Sequence, residues 1–261
     1  MQIAGFRQRL VSRVPLAGTF LKTPSYQIVE VLAQSELDFV CLDVEHAPFD
    51  RAAVDACCAI GRALDFPVLI RVGDASPREI LQALDCGAVG VVVPHVDSAA
   101  KAADVARAAR FGGGGRGYAG STRWAGYATQ SMPDLLARSQ AETVVIAQIE
   151  EPEGVDASDA IAATDGIDAL FLGPADLSVG YGHDNQSSDQ LFAAIERVGS
   201  AAAAAGKAYV SWVANAQKAR DWARYGMSCF FIASEHSWMR AGATAEARGV
   251  HEIGKAENGL P

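Results

Sequence analysis

Short runs of apolar, β-branched and aromatic residues alternate along the chain with longer Ala-rich stretches whose apolar positions recur at helical spacing. The runs at 16–21, 39–45, 67–72, 88–94, 143–150, 168–174, 207–213 and 229–234 read as strands. Helices are expected over 25–34, 50–64, 76–84, 98–109, 154–163, 189–205 and 216–225, with a last one starting near His236. Asp50 and Ser98 stand where N-caps belong, and Ser76-Pro77 opens a helix. The strands are apolar almost throughout, which is the pattern of parallel strands covered on both faces. Eight strand–helix units in this length predict a (β/α)8 TIM barrel, with a doubly wound open sheet as the alternative. Without a linker-like shift in composition, the chain reads as one domain over 1–253 with a tail at 254–261.

The alternation pauses at 112–131, a stretch rich in Gly and aromatics. Gly112, Gly114 and Gly117 have the GxGxxG spacing, but they follow a helix, whereas the dinucleotide fingerprint follows a strand. Trp124, Tyr118 and Tyr127 are placed either to stack on a substrate or to anchor this excursion.

In a barrel the chemistry sits at the C-terminal ends of the strands. Here the second strand ends in Asp43, Glu45 and His46, and the third in Arg71. The fifth ends in Gln148 and Glu150, and the sixth in Gly173-Pro174-Ala175-Asp176. Carboxylates Glu150 and Asp176, from adjacent strand ends, form a site for a hard divalent cation such as Mg²⁺ or Mn²⁺. Asp43 is placed to orient the ring of His46, and Arg71 to stabilise an oxyanion. Each also has a plainer reading: Asp176 as a helix cap, Glu150 in a solvated acidic loop, His46 as a loop histidine, and Arg71 paired with a loop acid.

The charge balance narrows the partners. With 31 acidic and 22 basic residues the net charge is -9, and no basic stripe is present, so nucleic acid and anionic membrane surfaces are excluded as expected partners. Half the residues are hydrophobic, enough to fold, yet no run approaches a membrane span and the N-terminus lacks a signal peptide's apolar centre. Five scattered cysteines without a CxxC read as buried thiols of a cytoplasmic protein.

The segments GTFLKTPS, LDVEHAP, GVVVPHV, QIEEPEGV and FLGPADLS, in order across 18–178, resemble the HpcH/HpaI class II aldolases, which include 4-hydroxy-2-oxoheptanedioate and 2-keto-3-deoxy sugar-acid aldolases. The resemblance implies a divalent-metal-dependent barrel (Mg²⁺ or Mn²⁺, with Co²⁺ also compatible) that makes or breaks a carbon–carbon bond next to pyruvate or hydroxypyruvate. It implies Glu150 and Asp176 as metal ligands, His46 with Asp43 as the acid/base dyad, and Arg71 on the keto or enolate oxygen. A metal-bound water beside His46 is the alternative base. Gln148 would line the metal site, and the backbone at Gly173, Pro174 and Ala175 would receive the substrate carboxylate. Asp85, Ser121, Trp124 and Val213 are further substrate-site positions, Asp85 matching one that reaches a neighbouring subunit's site. A homohexamer built as a trimer of dimers is implied, with the last helix exchanged between subunits, as is a place in the catabolism of aromatic compounds. The loop RGYAGSTRWAGY at 116–127 departs from the family's usual form where the acceptor aldehyde is expected to bind.

Three rival functions are distinguishable. A Schiff-base aldolase needs a lysine at the mouth, and only Lys22 is placed there; Lys101, Lys207, Lys218 and Lys255 fall on helices, the tail or the wrong strand end. A lyase of the citrate-lyase β or malyl-CoA type needs a positive groove for the nucleotide. A binding barrel without catalysis has little use for His46 and Arg71.

Overall fold

The computed structural model describes residues 2–257. Helix α1 (Gln2–Val11) precedes β1 (Leu16–Leu21), and the chain then alternates through α2 (Tyr26–Leu32), β2 (Phe39–Asp43), α3 (Arg51–Ala63), β3 (Val68–Arg71), α4 (Pro77–Cys86), β4 (Gly90–Val93) and α5 (Ala99–Ala108). After the long loop come α6 (Met132–Glu142), β5 (Val144–Ile149), α7 (Pro152–Asp156), α8 (Ser158–Ala162), β6 (Ala169–Leu172), α9 (Pro174–Gly180), α10 (Asp189–Ala204), β7 (Ala208–Val213), α11 (Ala216–Ala223), β8 (Cys229–Ser234) and α12 (Glu235–Glu257). The strands pair in sequence order, all parallel, and β1 closes onto β8 to complete a barrel. The expected eight-stranded barrel is the fold, and the open-sheet alternative falls with the β1–β8 pairing.

Two apolar layers hold it. Inside the barrel, Phe20, Phe39, Phe171 and Phe231 pack with Leu69, Val92, Ile146 and Val210. The Phe231 ring lies 4.9 Å from Phe20, 4.9 Å from Phe39 and 5.0 Å from Phe171, centroid to centroid. Gly18 makes room for this cluster: a Cβ there would fall 2.3 Å from the Phe39 ring. The outer layer, between sheet and helices, takes the alternate strand residues such as Leu42, Ile70, Val91, Leu170 and Val213.

The helices differ from expectation in number. Twelve are present among the described residues rather than eight. The single helix expected over 154–163 is broken into α7 and α8. Helix α1 closes the bottom of the barrel, its Phe6 ring 5.5 Å from Phe39, and Arg7 is paired with Asp168 at 2.7 Å. Caps fall where the sequence places them: Asp50, Ser76 and Ser98 each accept from the backbone N–H three residues on. The Gly112–Gly117 run follows α5 and enters a loop, so the dinucleotide context is absent there. All five cysteines are buried and free. No described helix is long and apolar enough to cross a membrane.

Helix α12 leaves the mouth of the barrel. Glu235 at its base is buried, yet every residue from 236 to 253 is exposed, including Trp238, Met239, Val250 and Ile253. It continues to Glu257, and the rest of the expected tail lies outside the described residues.

Candidate active site

The C-terminal strand ends surround a cavity of about 290 Å³. Phe20 and Phe171 border it from the barrel core, with Lys22 after β1, His46 after β2, Arg71 of β3, Gln148 of β5, Gly173 to Asp176 after β6, Trp212 of β7 and Ser234 of β8. Of the expected catalytic, substrate and metal positions, His46, Arg71, Gln148, Gly173, Pro174, Ala175 and Asp176 thus line one cavity, with Asp43 and Glu150 outside its lining.

Asp43 is fully buried beneath it. Its Oδ1 accepts from Arg71 Nε at 2.9 Å and Nη2 at 2.8 Å, and from the backbone N–H of His46 at 3.2 Å. Lys22 Nζ lies 3.0 Å from Oδ2. Burial alone would raise this carboxyl, but the Arg71 and Lys22 charges hold it below the ordinary range. The Arg71 guanidinium also sits over the Phe20 ring at 4.5 Å and within 3.3 Å of Glu45 Oε2. Asp43 therefore grips Arg71 rather than the His46 ring. The ring is half-exposed, and its Nε2 stands 3.7 Å from Glu45 Oε2.

Across the mouth, Glu150 is buried, and its Oε1 accepts the backbone N–H of His95 at 2.9 Å while Gln148 Nε2 donates to Oε2. Burial pushes the Glu150 carboxyl up to about 7; the His95 hydrogen bond and charge oppose this, and the neighbouring Glu45 and Asp176 charges add to it. The His95 ring bridges Glu45 Oε1 at 3.3 Å, Glu150 Oε1 at 3.2 Å and Glu151. It does so from a left-handed backbone, φ 56°. Glu45, His95 and Glu150 offer ligand atoms within 4.8 Å of one another. Asp176, exposed at the start of α9, is near enough for its charge to act on Glu150, so the expected pair and the Glu45 carboxylate bring oxygen donors to one side of the mouth, which suits a divalent cation; Glu45 Oε2 and Gln148 Oε1 there are buried without a hydrogen-bond partner. His95 had no assigned role from the sequence, because its partners lie about 50 residues away on either side.

The remaining expected positions lie elsewhere. Val213 faces the outer layer, and its neighbour Trp212 lines the cavity instead. Asp85, in the last turn of α4 and so at the opposite end of the barrel, pairs with Arg116 of its own chain. Trp124 is buried, with the guanidinium groups of Arg138 and Arg116 4.1 Å and 4.8 Å from its ring, which makes it an anchor for the long loop. Ser121 is exposed on that loop.

The HpcH/HpaI aldolase/citrate lyase family model matches residues 16–234. The chain belongs to that family. Within the HpcH/HpaI family, a hydroxypyruvate/pyruvate aldolase of Paraburkholderia phytofirmans is 34% identical over 245 residues, covering 89% of this chain and 92% of the relative. A 4-hydroxy-2-oxovalerate aldolase of Novosphingobium aromaticivorans is 38% identical over 180 residues, covering 67% of each. The crystal structure of an HpcH/HpaI family protein from Burkholderia cenocepacia superposes with a TM-score of 0.89 at 32% identity, covering 95% of this chain and 99% of that one.

Proposed function

We propose that this protein is a divalent-metal-dependent aldolase that joins or separates a pyruvate or hydroxypyruvate enolate and an aldehyde, giving 4-hydroxy-2-oxo acids. The observation that carries the reading is the meeting of Arg71, Gln148 and the Gly173–Asp176 turn at one cavity, with Asp43 bonded to Arg71 and Glu150 to Gln148 behind them, in a family whose relatives are named aldolases. The lyase alternative that would handle an acyl-CoA draws less support, since the curated relatives that span most of this chain carry aldolase names.

Glu150 and Asp176 would hold the cation, Mg²⁺ or Mn²⁺ with Co²⁺ also compatible, and when bound it withdraws electron density from the substrate oxygens. Gln148 donates to Glu150 Oε2 and so fixes the carboxylate that faces Gly173. The first turn of α9 leaves the N–H groups of Ala175 and Asp176 without intrahelical partners, suited to a substrate carboxylate. Arg71, held rigid by Asp43 and supported by Phe20, places its charge where the keto oxygen becomes an enolate oxygen. His46, or a water beside it, moves the proton between the methyl carbon or hydroxyl and bulk solvent.

The bare shaft of α12 supports assembly into a homo-oligomer in which this helix docks on a neighbour, in a hexamer built as a trimer of dimers. The test of the catalytic reading is deuterium exchange into the pyruvate methyl group with and without Mg²⁺ or Mn²⁺. An aldehyde panel including succinic semialdehyde and lactaldehyde accompanies it. Metal-dependent exchange and aldol product are expected; no reaction with any metal, and indifference to EDTA, would defeat the reading.

A further inference from the structure

Lys22 is fixed at both ends. Its backbone N–H donates to Glu235 Oε1 at 2.9 Å and Oε2 at 3.1 Å, and the next N–H, of Thr23, donates to Oε1 at 2.7 Å. Glu235 is itself 2% exposed, and the adjacent His236 contacts Thr23 Oγ1 at 2.8 Å. The base of α12 thus clamps the end of β1. At the other end, the ammonium stands 3.0 Å from Asp43 Oδ2, yet that buried oxygen accepts no aligned hydrogen bond. An ammonium carries three N–H donors. The ion pair with Asp43 holds the charge in place and leaves donors available at a cavity that Lys22 lines with Trp212, Ser234 and Ser237.

An aldol reaction has two oxygens that gain negative charge at different moments. The donor's keto oxygen gains it when the methyl proton leaves. The acceptor's oxygen gains it when the enolate carbon bonds to the aldehyde carbon: the carbonyl π pair moves to oxygen, which then takes one proton from His46 or the water beside it. The mouth offers two cations on the two oxygens of one aspartate, Arg71 on Oδ1 and Lys22 on Oδ2. Building on the aldolase reading, which assigns Arg71 to the donor, we propose that Lys22 is a catalytic residue for the bond-forming half-reaction. It donates a hydrogen bond to the acceptor aldehyde's oxygen as that oxygen becomes an alkoxide, and loses no proton in doing so.

The experiment compares two reactions in Lys22→Met and Lys22→Arg: metal-dependent deuterium exchange into pyruvate, which needs only the donor half, and aldol addition of pyruvate to succinic semialdehyde. Loss of one such donor lowers a rate by about 10²–10³. Lys22→Met is expected to lower aldol kcat by about 100-fold or more while exchange falls no more than about fivefold, and Lys22→Arg to recover at least tenfold of the loss. Lys22→Gln replaces the Met variant if thermal melting shows the latter unfolded. A parallel fall in both reactions would make Lys22 a partner of Asp43 alone, and an unchanged aldol rate would remove it from the reaction; either overturns the proposal. Absence of exchange in the wild-type protein with every metal would instead overturn the aldolase reading, and this proposal with it.

Discussion

Gly173 lies against the Glu150 carboxylate: a Cβ at position 173 would fall 2.8 Å from Glu150 Cβ and 3.1 Å from Oε2. The contact joins the ends of β5 and β6 at the point where the cation is proposed to bind. Gly173→Ala must push Glu150 off its bond with Gln148. Mn²⁺ affinity, measured by calorimetry, is expected to weaken at least tenfold, as for other supports of a ligand. An unchanged affinity would place the ligands elsewhere.

The Glu150 carboxyl has a signature in pH. Its pKa rises from an ordinary 4.5 to about 7 on folding, so its contribution to stability is intact below 4.5 and is lost as pH rises through 7. His95 adds a loss of the same sign. Burial pulls its ring down, but Glu151, Glu150 and Glu45 outweigh that and raise it. In EDTA, melting of the wild-type protein is expected to weaken between pH 5 and 8 relative to Glu150→Gln, by up to about 3 kcal/mol. Asp43 acts oppositely: its lowered value gives stability that is present above its ordinary 3.8 and lost as acid titrates it. A gap between the two proteins that does not widen with pH would contradict the assignment to Glu150.

Asp85 separates two readings. Arg116 is buried, 3% exposed, and Asp85 is its carboxylate partner. Asp85→Ala strands that guanidinium and is expected to cost about 3 kcal/mol of stability, read by urea unfolding. A variant that keeps its stability and loses only activity would point to work in a neighbouring subunit's site.

The barrel interior depends on one ring. Phe231 contacts Phe20, Phe39 and Phe171, and Phe20 supports Arg71. Phe231→Ala is expected to cost about 3–5 kcal/mol. Aldol kcat should fall with it, because the floor under Arg71 loosens; full activity in the folded variant would argue that Asp43 alone holds the guanidinium.

The strands were legible because each carries an unbroken apolar run, and the closed topology because eight such runs alternate with amphipathic segments. Helices α1, α6 and α9 were not. Helix α1 buries only Phe6 and Leu10, and α6 only Leu135 and Ser139, too few apolar positions to register as a helical stripe. Within the site, Arg71, Gln148 and the Gly173–Asp176 turn were readable from their place at strand ends. What the order of residues could not show was pairing. Asp43 has two cations and a histidine within reach, and only the folded geometry decides that Arg71 and Lys22 take its oxygens while the His46 ring turns to Glu45.

With α1 plugging one end and an aromatic cluster filling the shaft, the barrel is a vessel with one door. Whatever enters at the strand ends must leave the same way. The larger aldol product bars the next donor until it departs, so product inhibition competitive with the 2-oxo acid is the kinetic mark this architecture leaves.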